Sequence, residues 1–262
     1  MKKSLFKLIL GVFATMTLFS SCLGDSSNSR ENPMAFAYIT TKDGIQCAAM
    51  DWYYFTSPII KTLTVGKCYI LGYRTNLEMA SSQVILAEDI AQPIELTTTY
   101  GRVDSPTVEN TFNPSEFKPD VFFFNDYYGD NWSFSYRASL KEKDTPRAHC
   151  FYDVNRQYEM LDGVRKDVEK NQIIIDVRFD YVPGADGSTR DAYWYSVSNL
   201  SGIKSSYKEN PEKYDPTKII DNYVIVAVKF RYNQLQSDGT VKEDVYVGNW
   251  TSSPYSFAYP KE

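Results

Sequence analysis

Apolar and polar positions alternate with a period of two along much of this chain, the pattern of strands that set one face against a core. Three stretches are clean. Trp132, Phe134, Tyr136, Ala138 and Leu140 alternate with Ser133, Ser135, Arg137, Ser139 and Lys141. Ile173, Ile175, Val177, Phe179 and Tyr181 alternate with Gln172, Asp176, Arg178 and Asp180, with Ile174 the outward exception. Val224, Val226, Val228, Phe230 and Tyr232 repeat the pattern a third time. Each stretch predicts one packed and one wet face. Shorter runs at Val121 to Phe124, His149 to Val154, Tyr193 to Val197 and Val241 to Val247 bring this region to about seven strands, which suits a β-sandwich.

Upstream the runs are shorter. Phe36, Tyr38 and Thr40 share a face, and Asp43-Gly44 is a two-residue hairpin signal ahead of the run Ile45 to Phe55. Lys67 to Tyr73, Val84 to Leu86 and Ile94 to Thr98 follow, enough for a small barrel over 34–100. From Gly101 to Pro119 the alternation lapses, punctuated by Pro106, Pro114 and Pro119. This predicts a linker over 101–118 and a second domain over 119–262. Helical signal is sparse: Leu161, Val164 and Val168 have helical spacing around Gly163, and Asn210 to Tyr214 suits one turn. Neither predicts a structural helix.

Composition agrees with a packed β protein. Of 262 residues 43% are hydrophobic and 23% charged, ordinary for a globular chain, and 21 Tyr with 15 Phe favour pleated surfaces. The first residues have a different character. Lys2, Lys3 and Lys7 precede an uncharged run from Leu8 to Phe19, the layout of a signal peptide over 1–21 and too short to span a membrane. Phe19-Ser20-Ser21-Cys22 resembles the bacterial lipobox, which implies lipidation of Cys22. The polar stretch 22–33 then reads as a flexible tether. Leu23 in place of Asp after the cysteine favours the outer membrane and leaves its periplasmic or outer face open. Removing residues 1–21 takes away three lysines and no acid, which moves the net charge from −5 to −8. Nucleic acid is thereby disfavoured as a partner.

Candidate chemistry is thin. Cys47, Cys68 and Cys150 allow at most one internal disulfide; Cys47 and Cys68 could face each other, and free cysteine also packs as a small hydrophobe. No metal is expected, because no two cysteines stand within four residues and His149 is the single histidine. His149 has Cys150 on the opposite strand face and Asp153 about 13 Å along the strand. It is read as an ordinary strand residue. Asp186 to Asp191 lacks the ligand pattern of a calcium loop, and no glycine loop for phosphate is present; no cofactor is expected. Asn125 to Trp132 joins two strands with rings and acceptors. Asp126, Tyr127, Tyr128 and Asp130 are the candidate binding surface, the alternative being tyrosines that cap the sandwich.

The lipobox at Cys22, the opening strand Phe36-Ala37-Tyr38-Ile39-Thr40, Val65-Gly66-Lys67 before Tyr69-Ile70-Leu71, His149 entering a strand, and Asn171 to Phe179 before the turn Gly184 to Gly187 together resemble the NigD-like lipoproteins of Bacteroidota. The resemblance implies an all-β chain, with a small OB-like barrel followed by an immunoglobulin-like β-sandwich, held at the cell envelope. It implies no catalytic residue. The function expected is a non-enzymatic binding or assembly module, anchored in the membrane by its lipid, with an envelope protein or a glycan as partner. The alternatives are a carbohydrate-binding accessory lipoprotein of a glycan-uptake system and a carboxylate-dependent glycoside hydrolase.

Overall fold

The structure, a computed structural model, describes residues 29–76, 84–120, 125–185, 187–251 and 255–261. The signal segment, Cys22, the run Val121 to Phe124 and Asp186 lie outside the described residues, as does the side chain of Asp126.

Seven strands form the first unit: β1 (Ser29–Lys42), β2 (Ile45–Met50), β3 (Tyr53–Thr56), β4 (Cys68–Asn76), β5 (Val84–Leu86), β6 (Asp89–Ile90) and β7 (Ile94–Glu95). They make one curled sheet in the order β5-β3-β2-β1-β4-β6, with β7 also on β4, consistent with the OB-like expectation. Asp43 and Gly44 take φ of 51° and 79° and set Lys42 opposite Ile45, the two-residue turn the sequence predicts. Alternation along β1 points Ala35, Ala37 and Ile39 into a core with Met50, Phe55, Leu71 and Tyr73. The opposite face of β1, with Phe36 and Tyr38, meets the second unit.

The second unit contains β8 (Thr98–Tyr100), β9 (Glu116–Asp120), β10 (Asn131–Lys141), β11 (Thr145–Phe151), β12 (Tyr158–Leu161), β13 (Val164–Asp167), β14 (Gln172–Val182), β15 (Thr189–Asn199), helix α1 (Ser201–Lys208), β16 (Ile219–Ile220), β17 (Tyr223–Leu235), β18 (Val241–Val247) and β19 (Ser256–Pro260). One sheet runs β8-β15-β10-β9 and the other β11-β14-β17-β16, with β18 and β19 also on β17. Their inner faces bury Trp132, Phe134 and Tyr136 against Ile173, Ile175, Phe179, Val226 and Phe230. Phe117 on β9 meets Phe179 and Phe230 edge-on, with centroids 5.5 and 6.1 Å away. Such contacts add to the gain from burying apolar area.

Four local expectations change. The segment 101–118 lies along the sandwich: Arg102 N donates to Cys150 O, Tyr152 N to Arg102 O, Phe179 N to Asn110 Oδ1 and Leu235 N to Pro114 O. Its prolines, Pro106 and Pro114, lie between β8 and β9 without freeing the chain. Ahead of it, Thr99 donates from Oγ1 to Ala148 O at 2.6 Å and to Val197 O at 3.3 Å, which ties both sheets together. Ser29 to Asn32, read as tether, pair with Asn76 to Tyr73. Met160 to Lys170 holds the β12–β13 hairpin, turned at Asp162 and Gly163, where φ is 50° and 79°. Helix α1 escaped notice because it is short and polar; Ile203 and Tyr207, four apart, are its only buried residues.

The outer face of the second sheet departs most from the pattern. Ile174 and Asp176 of β14 and Arg231 of β17 are wholly buried there. The chain from Tyr152 folds back over this face, and the Gln157 side chain pairs with the backbone of Ile174 on both sides, at 2.9 Å each. Gln157 thus continues the ladder where β11 has ended. Parallel register sets Asp176 beside Arg231, and the guanidinium binds the carboxylate through Nε and Nη2 at 2.7 Å each. Its remaining donors reach Tyr158 O and Arg156 O. Removing one partner strands the other charge in the interior. Asp176→Ala is therefore expected to cost about 3–5 kcal/mol in chemical denaturation, and Asp176→Leu combined with Arg231→Met to recover most of that loss.

Candidate functional site

Outward positions on adjacent strands repeat every two residues, so charged residues there form rows. Arg147 and His149 of β11 stand beside Asp176, Arg178 and Asp180 of β14, next to Lys229, Arg231 and Asn233 of β17 and then Asp244 of β18. Two walls rise above this floor. One is the segment 105–113, held to β14 through Asn110. The other is the short turn Val154–Arg156, in which the Asn155 amide donates to the Asp153 side chain. Between them lies a cavity of about 590 Å³ lined by Ser105, Glu109, Asn113, Arg156, Arg178 and Asn233, among others.

Asp153 is buried at the cavity wall and accepts from Ser105 Oγ at 2.6 Å and Asn155 N at 2.9 Å. On the floor, Arg156 reaches Asp244 at 3.1 Å and Asp176 at 3.7 Å. Arg178 lies 3.8 Å from Asp176 and donates to its neighbour's carbonyl, Val177 O. Burial pulls the Arg178 pKa below its ordinary value; Asp176 opposes that and the nearby Arg156 adds to it. Beside this cluster, Lys229 pairs with Glu159 at 2.7 Å and sits 4.4 Å from the Trp250 ring, while Trp250 Nε1 donates to Glu159.

His149 does have a carboxylate partner, across the sheet instead of along its strand. Its Nε2 lies 2.9 Å from Asp180 Oδ1, and Arg147 binds the same carboxylate through two nitrogens at 2.8 and 2.6 Å. Antiparallel register puts Arg147 opposite Asp180 and His149 opposite Arg178. Scanning neighbours in sequence misses such a contact, whereas pairing the predicted strands in register would find it. Among the described residues, no group of three or more His, Cys, Asp and Glu is arranged to hold a metal ion. Cys47, Cys68 and Cys150 are all free and buried, which settles the open question over Cys47 and Cys68. Burial pushes the thiol pKa of both Cys68 and Cys150 up to about 12, so they are inert at neutral pH.

The aromatic loop faces inward. Tyr128 is 3% exposed and packs on Phe36, with centroids 5.2 Å apart. Tyr127 lies between Trp52 and Tyr54, and its hydroxyl donates to Met50 O and Tyr53 O of the first unit. Asp130, at φ 58°, pairs with Lys204 of α1 at 3.0 Å. Gly129 sits where a Cβ would come within 2.8 Å of the Tyr38 ring. These residues therefore join the two units. The same composition would suit a surface loop, and the sequence does not distinguish the two settings.

No protein-family model matches this sequence, and no curated protein matches it. Among solved structures the chain is similar to a candidate lipoprotein from Bacteroides fragilis, with a TM-score of 0.52 at 9% identity, covering 89% of this chain and 99% of that one. It is also similar, more loosely, to a NigD-like immunity protein from Bacteroides caccae, with a TM-score of 0.44 at 12% identity over 92% and 100% of the two chains. A protein of unknown function from Bacteroides vulgatus gives 0.45 at 12% over 87% and 90%. The first of these matches shows a shared fold that extends over both units.

Burial alone pushes the Asp180 pKa up, but hydrogen bonds from Arg147 and His149 outweigh it and hold the carboxyl below its ordinary value. A depressed folded pKa means this carboxylate stabilises the fold above about pH 4, the unfolded value, and loses that contribution as pH falls through the folded one. Asp180→Asn is expected to lower stability at pH 7 and to differ less from the parent at pH 3. Denaturant titrations at the two pH values check this.

Proposed function

We propose that this chain is a lipid-anchored protein of the bacterial cell envelope that acts as a non-enzymatic binding module, with the cavity on the outer face of the second sheet as its site. The observation that carries the reading is how that cavity is built. Loops and strands from five parts of the second unit converge on buried charges, and its wall residues are held by hydrogen bonds to the scaffold. Small-molecule sites are concavities in which a few placed polar groups fix the ligand's orientation, and here most of the lining is polar. Asp180 engages His149 Nε2 and is itself held by Arg147, so the imidazole is tied into the sheet's polar network.

The address rests on the first residues. The basic start, the short apolar run and the residues before Cys22 fit lipoprotein processing, and no described helix is long and apolar enough to cross a membrane. Leu23 favours the outer membrane, with the facing side undecided. The likeness in fold to a candidate lipoprotein of Bacteroides fragilis and the sequence resemblance to NigD-like lipoproteins support the same reading. An envelope protein or a glycan remains the class of partner.

Two measurements test it. Cells expressing the full chain are expected to incorporate an alkyne fatty acid into it, and Cys22→Ser to abolish the label; label that persists would remove the anchor. His149→Ala is expected to keep the binding of whatever envelope component the full chain retains, with a stability loss of about 1–2 kcal/mol for the lost charged hydrogen bond. A turnover activity that disappears in His149→Ala at unchanged stability would instead mark an enzyme.

A further inference from the structure

The bonded cluster under the cavity holds three guanidiniums, of Arg156, Arg178 and Arg231, against two carboxylates, of Asp176 and Asp244. Asp176 is committed first to Arg231, in two bonds of 2.7 Å. Asp244 is nearest to Arg156. Arg178 keeps the weakest share, one oxygen of Asp176 at 3.8 Å, beyond hydrogen-bond length. Its side chain is only 12% exposed, so water compensates little of the charge. Burial lowers its pKa, attraction to Asp176 and Asp244 opposes this, and the repulsion of Arg156 and Arg231 adds to it. An arginine stays protonated regardless. Arg178 is therefore the guanidinium of this cluster that a carboxylate holds least closely.

The remaining lining fixes what can satisfy it. Asp153 has both oxygens engaged, by Ser105 Oγ and Asn155 N. Glu109 and Glu243 stand exposed at the rim, while Asn113 and Asn233 bring amide groups between rim and floor. A dianion such as phosphate would meet three carboxylates on its way to the arginines. A single carboxylate suits the planar guanidinium fork and carries half the repulsion. The rim acids and the amides then call for hydroxyl groups around that carboxylate. At about 590 Å³ the cavity is in the range of small-ligand sites.

We propose that this cavity binds an acidic sugar, its carboxylate seated on Arg178 and Arg156 and its hydroxyls directed at Asn113, Asn233 and the rim carboxylates. The inference rests on the cavity being the binding site of the module, and it adds the ligand class.

Calorimetry on the full chain in detergent tests it with four probes at low salt: trigalacturonic acid, triglucuronic acid, the methyl ester of the better binder, and an acetylated tripeptide with a free C-terminal carboxylate. The expected result is saturable binding of at least one uronic trisaccharide and a loss of tenfold or more on esterification. Arg178→Gln should weaken the uronate tenfold or more while its melting temperature does not fall, because the substitution removes a buried charge that is only loosely paired. Arg178→Lys should also weaken it, since the fork is lost. Equal binding of acid and ester, unchanged affinity in Arg178→Gln, tighter binding of the peptide, or no uronate binding each overturns the proposal. The ester comparison uses unaltered protein and stands even where a variant fails to fold. If Arg178→Gln still retains an envelope component that unaltered protein retains, and uronates do not bind, the ligand class falls and the binding module stands.

Discussion

The parallel contact between β14 and β17 places Asp176 beside Arg231 in the interior, and the arrangement of the second unit's outer face follows from it. A carboxylate and a guanidinium removed from water need each other and every remaining hydrogen-bond partner within reach. The segment after β11 supplies those partners through the carbonyls of Arg156 and Tyr158. To do so it must fold back across the sheet, and in crossing it covers Ile174 and raises one wall of the cavity. Buried ion pairs contribute little net stability compared with apolar packing. This one acts mainly by fixing where a loop lies.

The strands were largely legible in the sequence because alternation reports directly on which face is covered. β10, β14 and β17 and the hairpin at Asp43-Gly44 follow from that rule and from turn chemistry alone. What failed was the inference from polar to wet. Asp176, Arg178 and Asp180 occupy outward positions, and polarity there was read as contact with solvent. In fact Asp176 is paired with Arg231 under a covering loop, and Asp180 with Arg147 and His149 of the next strand. The sequence does show charges at successive outward positions, Asp176, Arg178 and Asp180 on β14 and Lys229 and Arg231 on β17.

The site was less legible for related reasons. The role of His149 depends on a residue 31 positions away that strand pairing brings alongside. Pro119 lies within β9, paired with Phe134, and the sequence contains no sign that the segment from Pro106 to Pro114 is bonded to β14 and β17. Tyr127 and Tyr128 stand out in the sequence as rings between two strands. Their partners are in the first unit, and a local pattern does not show which surface a ring meets. One aromatic turn and the shared patch around Cys68, Leu96 and Val197 make the two units a packed pair, so the curled sheet is a buttress for the sandwich.

The early start of β1 also has a consequence for reach. Pairing holds the chain from Ser29 onward, which leaves seven residue steps back to Cys22. Even fully extended, such a leash measures about 25 Å, less than the length of one small domain. With a lipid on Cys22, the body could not roam far from the bilayer; it would ride against it, and the membrane itself would screen part of its surface. Any ligand would then be met in the layer next to the lipid headgroups, where a short leash would make the folded body a fixture of the surface.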